Sequence, residues 1–143
     1  MGCDIHAHSE LKIEGKWYHL DSLNIDRNYA LFAKMADVRN NWDKFEPISK
    51  PKGLPKDASF MTKFLCAEYG SDGHSHSYLT SKEFMKLSEW AKEHWGEFWA
   101  GHKFYSPDHF GYLFGYSYEE FFTNRNDMPK ELDDFRFVFW FDN

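Results

Sequence analysis

Cysteine is scarce in this sequence, with only Cys3 and Cys66 among 143 residues. Small proteins that depend on a disulfide scaffold carry several cysteine pairs, so two cysteines exclude that class. The sequence also lacks a hydrophobic run long enough for a signal peptide or a membrane-spanning helix. We therefore expect a cytoplasmic protein with no membrane partner.

Basic residues are fewer than acidic ones as well: the chain has 17 Lys and Arg and 23 Asp and Glu, which gives a net charge of −6. Proteins that coat DNA or RNA need clustered basic residues, so bulk nucleic acid is not an expected partner. Aromatic residues, in contrast, make up 20% of the chain. They fill cores and also form the walls of pockets for flat ligands such as nucleobases. The length predicts a single globular domain over residues 1–143.

The first fifteen residues alternate polar and apolar side chains, which is typical of a β-strand with one buried face. Cys3 falls on the apolar face, where we expect it to pack in the core. A turn at Gly15-Lys16 followed by residues 17–20 predicts a hairpin in which Ile13 faces Tyr18. The polar face of the strand is predicted to carry Asp4, His6, His8 and Glu10.

Helical periodicity occurs in residues 27–39, 59–69 and 81–99, and a short helix is expected at 118–123. The expected caps are Asp26, then Asp57 or Ser59, then a capping box from Thr80 to Glu83. The second helix is predicted to bury Phe60, Phe64 and Leu65. Three prolines and a glycine between residues 47 and 57 predict a long ordered loop, and residues 101–112 are expected to form a pocket wall or another loop.

The C-terminal residues 134–143 alternate strictly, with Phe135, Phe137, Phe139 and Phe141 on one face. This pattern predicts a strand beside the N-terminal hairpin. The expected fold class is α+β, with a small, about three-stranded, mainly antiparallel sheet formed by the N-terminal hairpin and the C-terminal strand. Three to four helices are expected to pack on one face of that sheet, the face of the phenylalanines.

An Asp-x-His-x-His pattern occurs twice, once in the first strand and once in a glycine-rich loop before the helix at residue 81. On a strand, this spacing directs carboxylate and imidazole groups to one ion, as in metal-dependent hydrolases of the amidohydrolase and polymerase-histidinol-phosphatase types. Zn or Mn accepts such ligands, and the pKa of a metal-bound water falls to about 7. Those enzymes are larger barrels, so the similarity concerns local chemistry. Alternatively, the histidines simply hydrogen-bond within the fold. The candidate metal ligands are Asp4, His6, His8, Asp72, His74 and His76.

A second set of residues suits an anionic ligand. Arg27, Arg39 and Lys52 can hold phosphate, because they are basic residues beside predicted helix ends or in the long loop. Tyrosine rings can stack on a base, and the hydroxyl-rich loop before a helix N-terminus is a natural place for an anion. The candidate ligand-binding residues are Arg27, Tyr29, Arg39, Lys52, Ser75 and Tyr78.

The chain resembles an uncharacterised family found largely in phage and bacterial genomes. The resemblance rests on Met1-Gly2-Cys3-Asp4-Ile5-His6, Arg27-Asn28-Tyr29, Val38-Arg39-Asn40, Gly53-Leu54-Pro55 with Asp57 and Ser59, His74-Ser75 with Ser77-Tyr78-Leu79-Thr80, and Phe139-Trp140-Phe141-Asp142-Asn143. It implies a phage context, with the bacterial cytoplasm as the location, but no particular activity. Position 8 is not always histidine among the relatives, which shifts the expected catalytic set to Asp4, His6 and His74.

Three functional hypotheses follow. The first is a small hydrolase, a phosphoesterase that acts on a nucleotide or a cyclic-dinucleotide signal as a phage counter-defence, with a divalent metal or by histidine acid-base chemistry. The second is a binding protein that sequesters the same kind of small nucleotide ligand without turnover. The third is a structural or interaction protein in which the polar cluster holds the fold together. An oligomer is compatible with each of them.

Overall fold

A computed structural model describes residues 2–95 and 132–143 of the chain. The elements in chain order are β1 (Asp4–Ile13), β2 (Lys16–Leu23), α1 (Tyr29–Ala36), α2 (Phe60–Ala67), a 3₁₀ turn (Gly70–Asp72), β3 (Gly73–Thr80), α3 (Ser81–Trp95) and β4 (Leu132–Asp142). The strands form one antiparallel sheet in the order β2-β1-β4-β3. The α+β class is confirmed, and the sheet has one strand more than the sequence predicts. The expected pocket wall at residues 101–112 and helix at 118–123 lie outside the described residues.

The C-terminal strand β4 is one of the two inner strands of the sheet and pairs with β1 on one side and β3 on the other. Its four phenylalanines alternate as predicted and are almost completely buried. They pack against α1 and α3, with ring contacts of 5.1 Å between Phe141 and Phe32 and 6.1 Å between Phe135 and Phe84. Cys3 belongs to this core, as expected. The apolar core therefore lies between the phenylalanine face of the sheet and these two helices.

Helix α2 covers the other face of the sheet, so the prediction that all helices pack on one face is wrong. Its buried residue is Thr62, while Phe60 and Phe64, predicted to be buried, are 80% and 52% exposed. The physical reason is the carboxylate of Glu10, which is fully buried on this face and needs donors. Ser59 N and Thr62 Oγ1 each donate to Glu10 Oε2 at 2.8 Å. This polar anchor decides which side of α2 faces inward.

The hairpin turn is Glu14-Gly15, one residue earlier than predicted. Both turn residues have positive φ values of 49° and 78°, which matches the right-handed twist of a two-residue hairpin. The strand register shifts accordingly, so that Leu11, rather than Ile13, lies opposite Tyr18. A register shift between Ser9 and Glu10 then brings His19 opposite Glu10.

The segment predicted as a glycine-rich loop before α3 is instead an edge strand, β3, because it pairs with the otherwise open side of β4. The capping box that follows is confirmed: Glu83 N donates to Thr80 Oγ1 at 3.2 Å, and Thr80 N donates to Glu83 Oε1 at 3.0 Å. Ser59 caps α2, as one of the two expected candidates. Asn28, rather than Asp26, caps α1. The loop predicted from the prolines contains no helix or strand.

Candidate active-site cleft

An open cleft of about 510 Å³ lies on the face of the sheet opposite the phenylalanines. We call it the β1 cleft, because the alternation of β1 places Asp4, His6 and His8 along it. The end of α2 and the connection from β2 to α1 form its walls. The lining residues with polar or aromatic side chains are Asp4, His6, His8, Ser22, Asn24, Asp26, Arg27, Glu68, Tyr69 and Trp140.

His6 is held between a carboxylate and a phenol in this cleft. With the proton on Nε2, His6 donates to Asp142 Oδ1 at 2.7 Å, and its Nδ1 accepts from the Tyr69 hydroxyl at 2.9 Å. The Tyr69 ring also packs against the imidazole, with centroids 4.0 Å apart. Burial, together with the nearby charges of Asp142 and Glu68, raises the pKa of the Tyr69 phenol. Tyr69 therefore stays protonated at neutral pH and completes a hydrogen-bonded chain of Asp142, His6 and Tyr69.

Trp140 is the fully buried centre of the cleft floor. Its ring contacts His8 at 4.9 Å, Tyr69 at 5.8 Å, His6 at 6.2 Å and His76 at 6.3 Å. Its indole N–H has no hydrogen-bond acceptor among the described residues. A flat aromatic surface thus keeps the surrounding imidazole and phenol rings in place.

Asp4 and Arg27 form a two-pronged ion pair at the mouth of the cleft. Arg27 Nε donates to Asp4 Oδ1 at 3.0 Å and Arg27 Nη2 donates to Asp4 Oδ2 at 3.1 Å, with both side chains about half exposed. The hydrogen bond from Arg27 lowers the pKa of Asp4. Arg27 is therefore at the cleft, as a phosphate ligand would need to be, but a carboxylate already occupies its guanidinium.

His8 is buried and belongs to a separate cluster at the β2 end of the cleft. Its Nδ1 lies 3.1 Å from His19 Nε2 and 3.1 Å from Ser22 Oγ. Burial, and then the neighbouring His19 and His6, lower the pKa of His8 to about 4. The ring is consequently neutral at pH 7.

The two histidines of β3 point to opposite faces of the sheet. His74 lies on the phenylalanine face, with its ring 6.2 Å from Phe141 and its Nε2 3.0 Å from Asn143 Oδ1. His76 stacks on Trp140 on the cleft face. The cause is Ser75, whose φ of 54° interrupts the alternation where the register with β4 shifts. Asp72 is exposed in the 3₁₀ turn.

The six candidate metal ligands from the sequence do not converge. The structure brings Asp4, His6 and His8 together on β1 and adds His76 across Trp140, but it separates His74 and Asp72 from them. Within residues 2–95 and 132–143, no three His, Cys, Asp or Glu side chains form a group that could hold a metal ion. A metal at this site would therefore need ligands of another kind.

Most of the candidate ligand-binding residues stabilise the fold elsewhere. The Tyr29 hydroxyl accepts from Cys3 N at 3.1 Å, and the Arg39 guanidinium lies 5.4 Å from the Tyr29 ring. Lys52 Nζ pairs with Glu83 at 2.6 Å and lies 4.1 Å from the Tyr78 ring. Ser75 Oγ lies 3.0 Å from His74 Nδ1. Of the six, only Arg27 lines the β1 cleft.

The two hydrogen-bond partners of His6, Asp142 and Tyr69, are absent from the sequence-based candidates. Asp142 lies within the predicted C-terminal strand and is the last residue of β4, and it reaches His6 because β4 runs antiparallel to β1 with Asp4 opposite Asp142. The predicted pairing of the C-terminal strand with β1 was therefore the signal that could have identified Asp142. Tyr69 follows α2, and no local pattern distinguishes it from other aromatic residues.

Carboxylates dominate the charge of the cleft. Asp4, Asp26 and Glu68 line it and Asp142 is bonded to His6, whereas Arg27 is the cationic side chain among the lining residues. An anionic ligand is repelled here unless a cation accompanies it.

The chain matches no family model, no curated protein and no solved structure in the corresponding comparisons. Among the described residues, no helix has both the length and the apolar character needed to cross a membrane. The chemistry of the site is therefore inferred from its own geometry.

Proposed function

We propose that this protein is a small hydrolase of the phosphoesterase type that acts on a nucleotide or a cyclic dinucleotide. The observation that carries this proposal is the hydrogen-bonded chain of Asp142, His6 and Tyr69, of which His6 and Tyr69 line an open cleft. A carboxylate that orients an imidazole, which in turn contacts a hydroxyl, is an arrangement by which enzymes move protons at neutral pH. The resemblance to a phage family makes a host signalling nucleotide the first substrate class to test.

The proton relay runs through the Tyr69 hydroxyl, because both ring nitrogens of His6 are already engaged. As a water oxygen attacks the phosphorus, its proton passes to Tyr69 Oη while the Tyr69 proton passes to His6 Nδ1. Asp142 stabilises the imidazolium that forms. The proton returns by the same route to the leaving oxygen as the phosphoester bond breaks.

The acidic cleft sets a condition for this reaction. A phosphoester has to enter together with a cation that offsets the carboxylates of the lining. We therefore expect turnover to depend on a divalent ion such as Mg²⁺ or Mn²⁺ bound to the substrate phosphate. Salt that screens the carboxylates should lower this dependence.

Sequestration without turnover is the second candidate, and one observation favours it. No nitrogen of His6 is free to contact a ligand directly, since Asp142 occupies one and Tyr69 the other. A ligand in the cleft would then contact the Tyr69 hydroxyl and the partly exposed His6 ring, since Trp140 beneath them is fully buried, and would be released unchanged.

The test is turnover of bis(p-nitrophenyl) phosphate, cyclic mononucleotides and cyclic dinucleotides with Mg²⁺ or Mn²⁺, followed by chromatography of the products. Tyr69→Phe removes only the relay hydroxyl, and we expect turnover to fall by about 100-fold or more. Tyr18→Phe is the matched control, because Tyr18 is 47% exposed on β2 and is not among the residues that line the cleft.

Each result separates the hypotheses. Turnover that Tyr69→Phe leaves unchanged rules out the relay. Binding of a nucleotide that is recovered intact supports sequestration. Neither binding nor turnover, together with a lowered melting temperature in Asp142→Asn, supports a structural role for the cluster.

A further inference from the structure

Three potential metal-ligating atoms meet where β1 pairs with β2, at the end of the cleft away from Asp142. His8 Nδ1, His19 Nε2 and Ser22 Oγ form a triangle with sides of 3.1, 3.1 and 3.4 Å. The register explains their meeting: Ser22 lies opposite His8, and the shift between Ser9 and Glu10 turns His19 toward the same point. No local sequence pattern predicts this cluster, because His8 and His19 are on different strands.

Ordinary hydrogen bonds do not satisfy all three contacts. Each imidazole nitrogen offers one in-plane position, either a proton or a lone pair. His8 Nδ1 faces both His19 Nε2 and Ser22 Oγ at hydrogen-bond distance, so two partners compete for its single position. A metal ion at the centre of the triangle would instead accept one lone pair from each of the three atoms.

The dimensions of the triangle suit a metal ion. Ligand distances of about 2.0–2.1 Å place neighbouring ligand atoms about 3.3 Å apart in a tetrahedral site and about 2.9 Å apart in an octahedral one. The three observed separations fall in or close to this range. The two imidazole centroids are 5.2 Å apart and the rings are tilted by 49°, so both can approach one ion edge-on.

We propose that His8, His19 and Ser22 bind one divalent transition-metal ion, with zinc as the reference ion and water in the remaining positions. Imidazole is a preferred ligand for zinc, copper and nickel, and a site with protein ligands on one side leaves a position open for water or a ligand. This set differs from the one the sequence suggests, since it takes His8 without Asp4 or His6 and adds two residues of β2.

The surroundings support an accessible and pre-arranged site. His8 is fixed by stacking on Trp140 at 4.9 Å, so its ring is held in place without the metal. His8 and Ser22 both line the β1 cleft, which gives an ion a route from solvent. The carboxylate of Asp21 acts electrostatically on both imidazoles and partly offsets the charge of the ion, whereas the carboxylate of Glu10 is already paired with Arg136.

The test is calorimetric titration of the purified, chelator-treated protein with Zn²⁺ alone, and absorption spectroscopy with Co²⁺ as a reporter of ligand geometry. We expect one ion per chain. His19→Gln should weaken binding by more than about tenfold, because even the partners of metal ligands commonly contribute that much. His19 is half-exposed on an edge strand, so this variant avoids the folding risk of changing the buried His8.

His94→Gln is the matched control, because His94 is an exposed histidine on α3 away from this cluster. Loss of binding in His19→Gln but not in His94→Gln supports the site. Absence of Zn²⁺ binding, or equal binding in both variants, overturns it. Because no substrate is present, this outcome is independent of whether the protein hydrolyses phosphoesters.

Discussion

The two Asp-x-His-x-His stretches have the same spacing but different structures. In β1, Asp4, His6 and His8 stay on one face and line the cleft. In β3, His74 turns to the phenylalanine face and only His76 reaches the cleft side. Identical residue types at identical spacing therefore do not produce the same site.

The difference lies in what holds each strand. The register of β1 with β4 runs without interruption from Asp4 to Lys12, although its pairing with β2 begins only at Ala7. β3 is an edge strand, and its register shifts between His74 and Ser77. Strand alternation keeps ligands on one face only where the register with the neighbouring strand is uninterrupted.

The largest expected effect comes from replacing one histidine of each stretch, His6 in the cleft and His74 on the phenylalanine face. We expect His6→Gln to lower the proposed phosphoesterase turnover by about 100- to 10,000-fold, since it removes the proton carrier of the proposed relay. His74→Gln should leave turnover nearly unchanged, because its Nε2 contacts Asn143 and its ring does not line the cleft. Initial rates with a chromogenic phosphodiester measure both. Equal losses would mean that His74 takes part in the chemistry despite its position.

Glu10, which follows the first Asp-x-His-x-His stretch, and Glu83, which follows the second, should differ in their effect on stability. Glu10 is fully buried and accepts from Arg136 Nε, Ser59 N and Thr62 Oγ1, each at 2.8 Å. Glu10→Ala leaves the buried guanidinium with the exposed Asp57 as its remaining ion-pair partner among the described residues and removes the acceptor of Ser59 N and Thr62 Oγ1. We therefore expect a loss of about 3 kcal/mol in the free energy of unfolding.

The matched change after β3 is Glu83→Ala, which removes a capping-box carboxylate that is 23% exposed and paired with Lys52. A loss of about 1 kcal/mol is expected there, as is usual for a helix cap. Urea denaturation of both variants measures the difference. A cost for Glu10→Ala no larger than that for Glu83→Ala would show that the buried network contributes little.

Acid should destabilise the protein through His8. Its pKa is about 4 in the folded chain against 6.5 in an unfolded one, so the unfolded state binds the proton first as the pH falls. Stability should decrease from about pH 6.5 to about pH 4 and then level off for this residue, by on the order of 3 kcal/mol at most. Melting temperatures between pH 7 and about pH 5.5 measure the upper part of this slope, before the carboxylates begin to titrate.

His8→Gln should flatten that slope. His76→Gln should flatten it less, although burial also lowers the pKa of His76. An unchanged slope in His8→Gln would mean that other groups cause the acid sensitivity.

Several features of the fold were predictable because they depend on local patterns. The strict alternation of β4 predicted its buried face and its place beside β1, and the residues from Thr80 to Glu83 predicted the start of α3. The strand β3 and the inward face of α2 were not predictable in this way. Residues 73–80 form a strand despite their glycine-rich start, because they pair with the open side of β4. The inward face of α2 is set by the buried carboxylate of Glu10 rather than by the apolar stripe of Phe60 and Phe64.

The candidate site was predictable only in part for a related reason. Alternation identified His6, but its two partners are Tyr69 and Asp142, which are 63 and 136 residues away in the chain. Local patterns describe neighbours along one strand, whereas hydrogen-bond partners come from the way strands and helices assemble. The pairing of His8 with His19 depends in the same way on the register of a hairpin.

Ser75 offers the smallest and most direct test of why the two stretches differ. Its φ of 54° costs an L-residue about 1 to 2 kcal/mol, and a β-branched side chain tolerates this region least. We expect Ser75→Val to destabilise the protein by about 1 to 2 kcal/mol in urea denaturation. Ser75→Gly should be near neutral, because glycine relieves the strain while giving up the contact with His74 Nδ1. If Ser75→Val is as stable as the wild type, β3 can adopt regular alternation, and the division of its two histidines between the faces is not imposed by this residue.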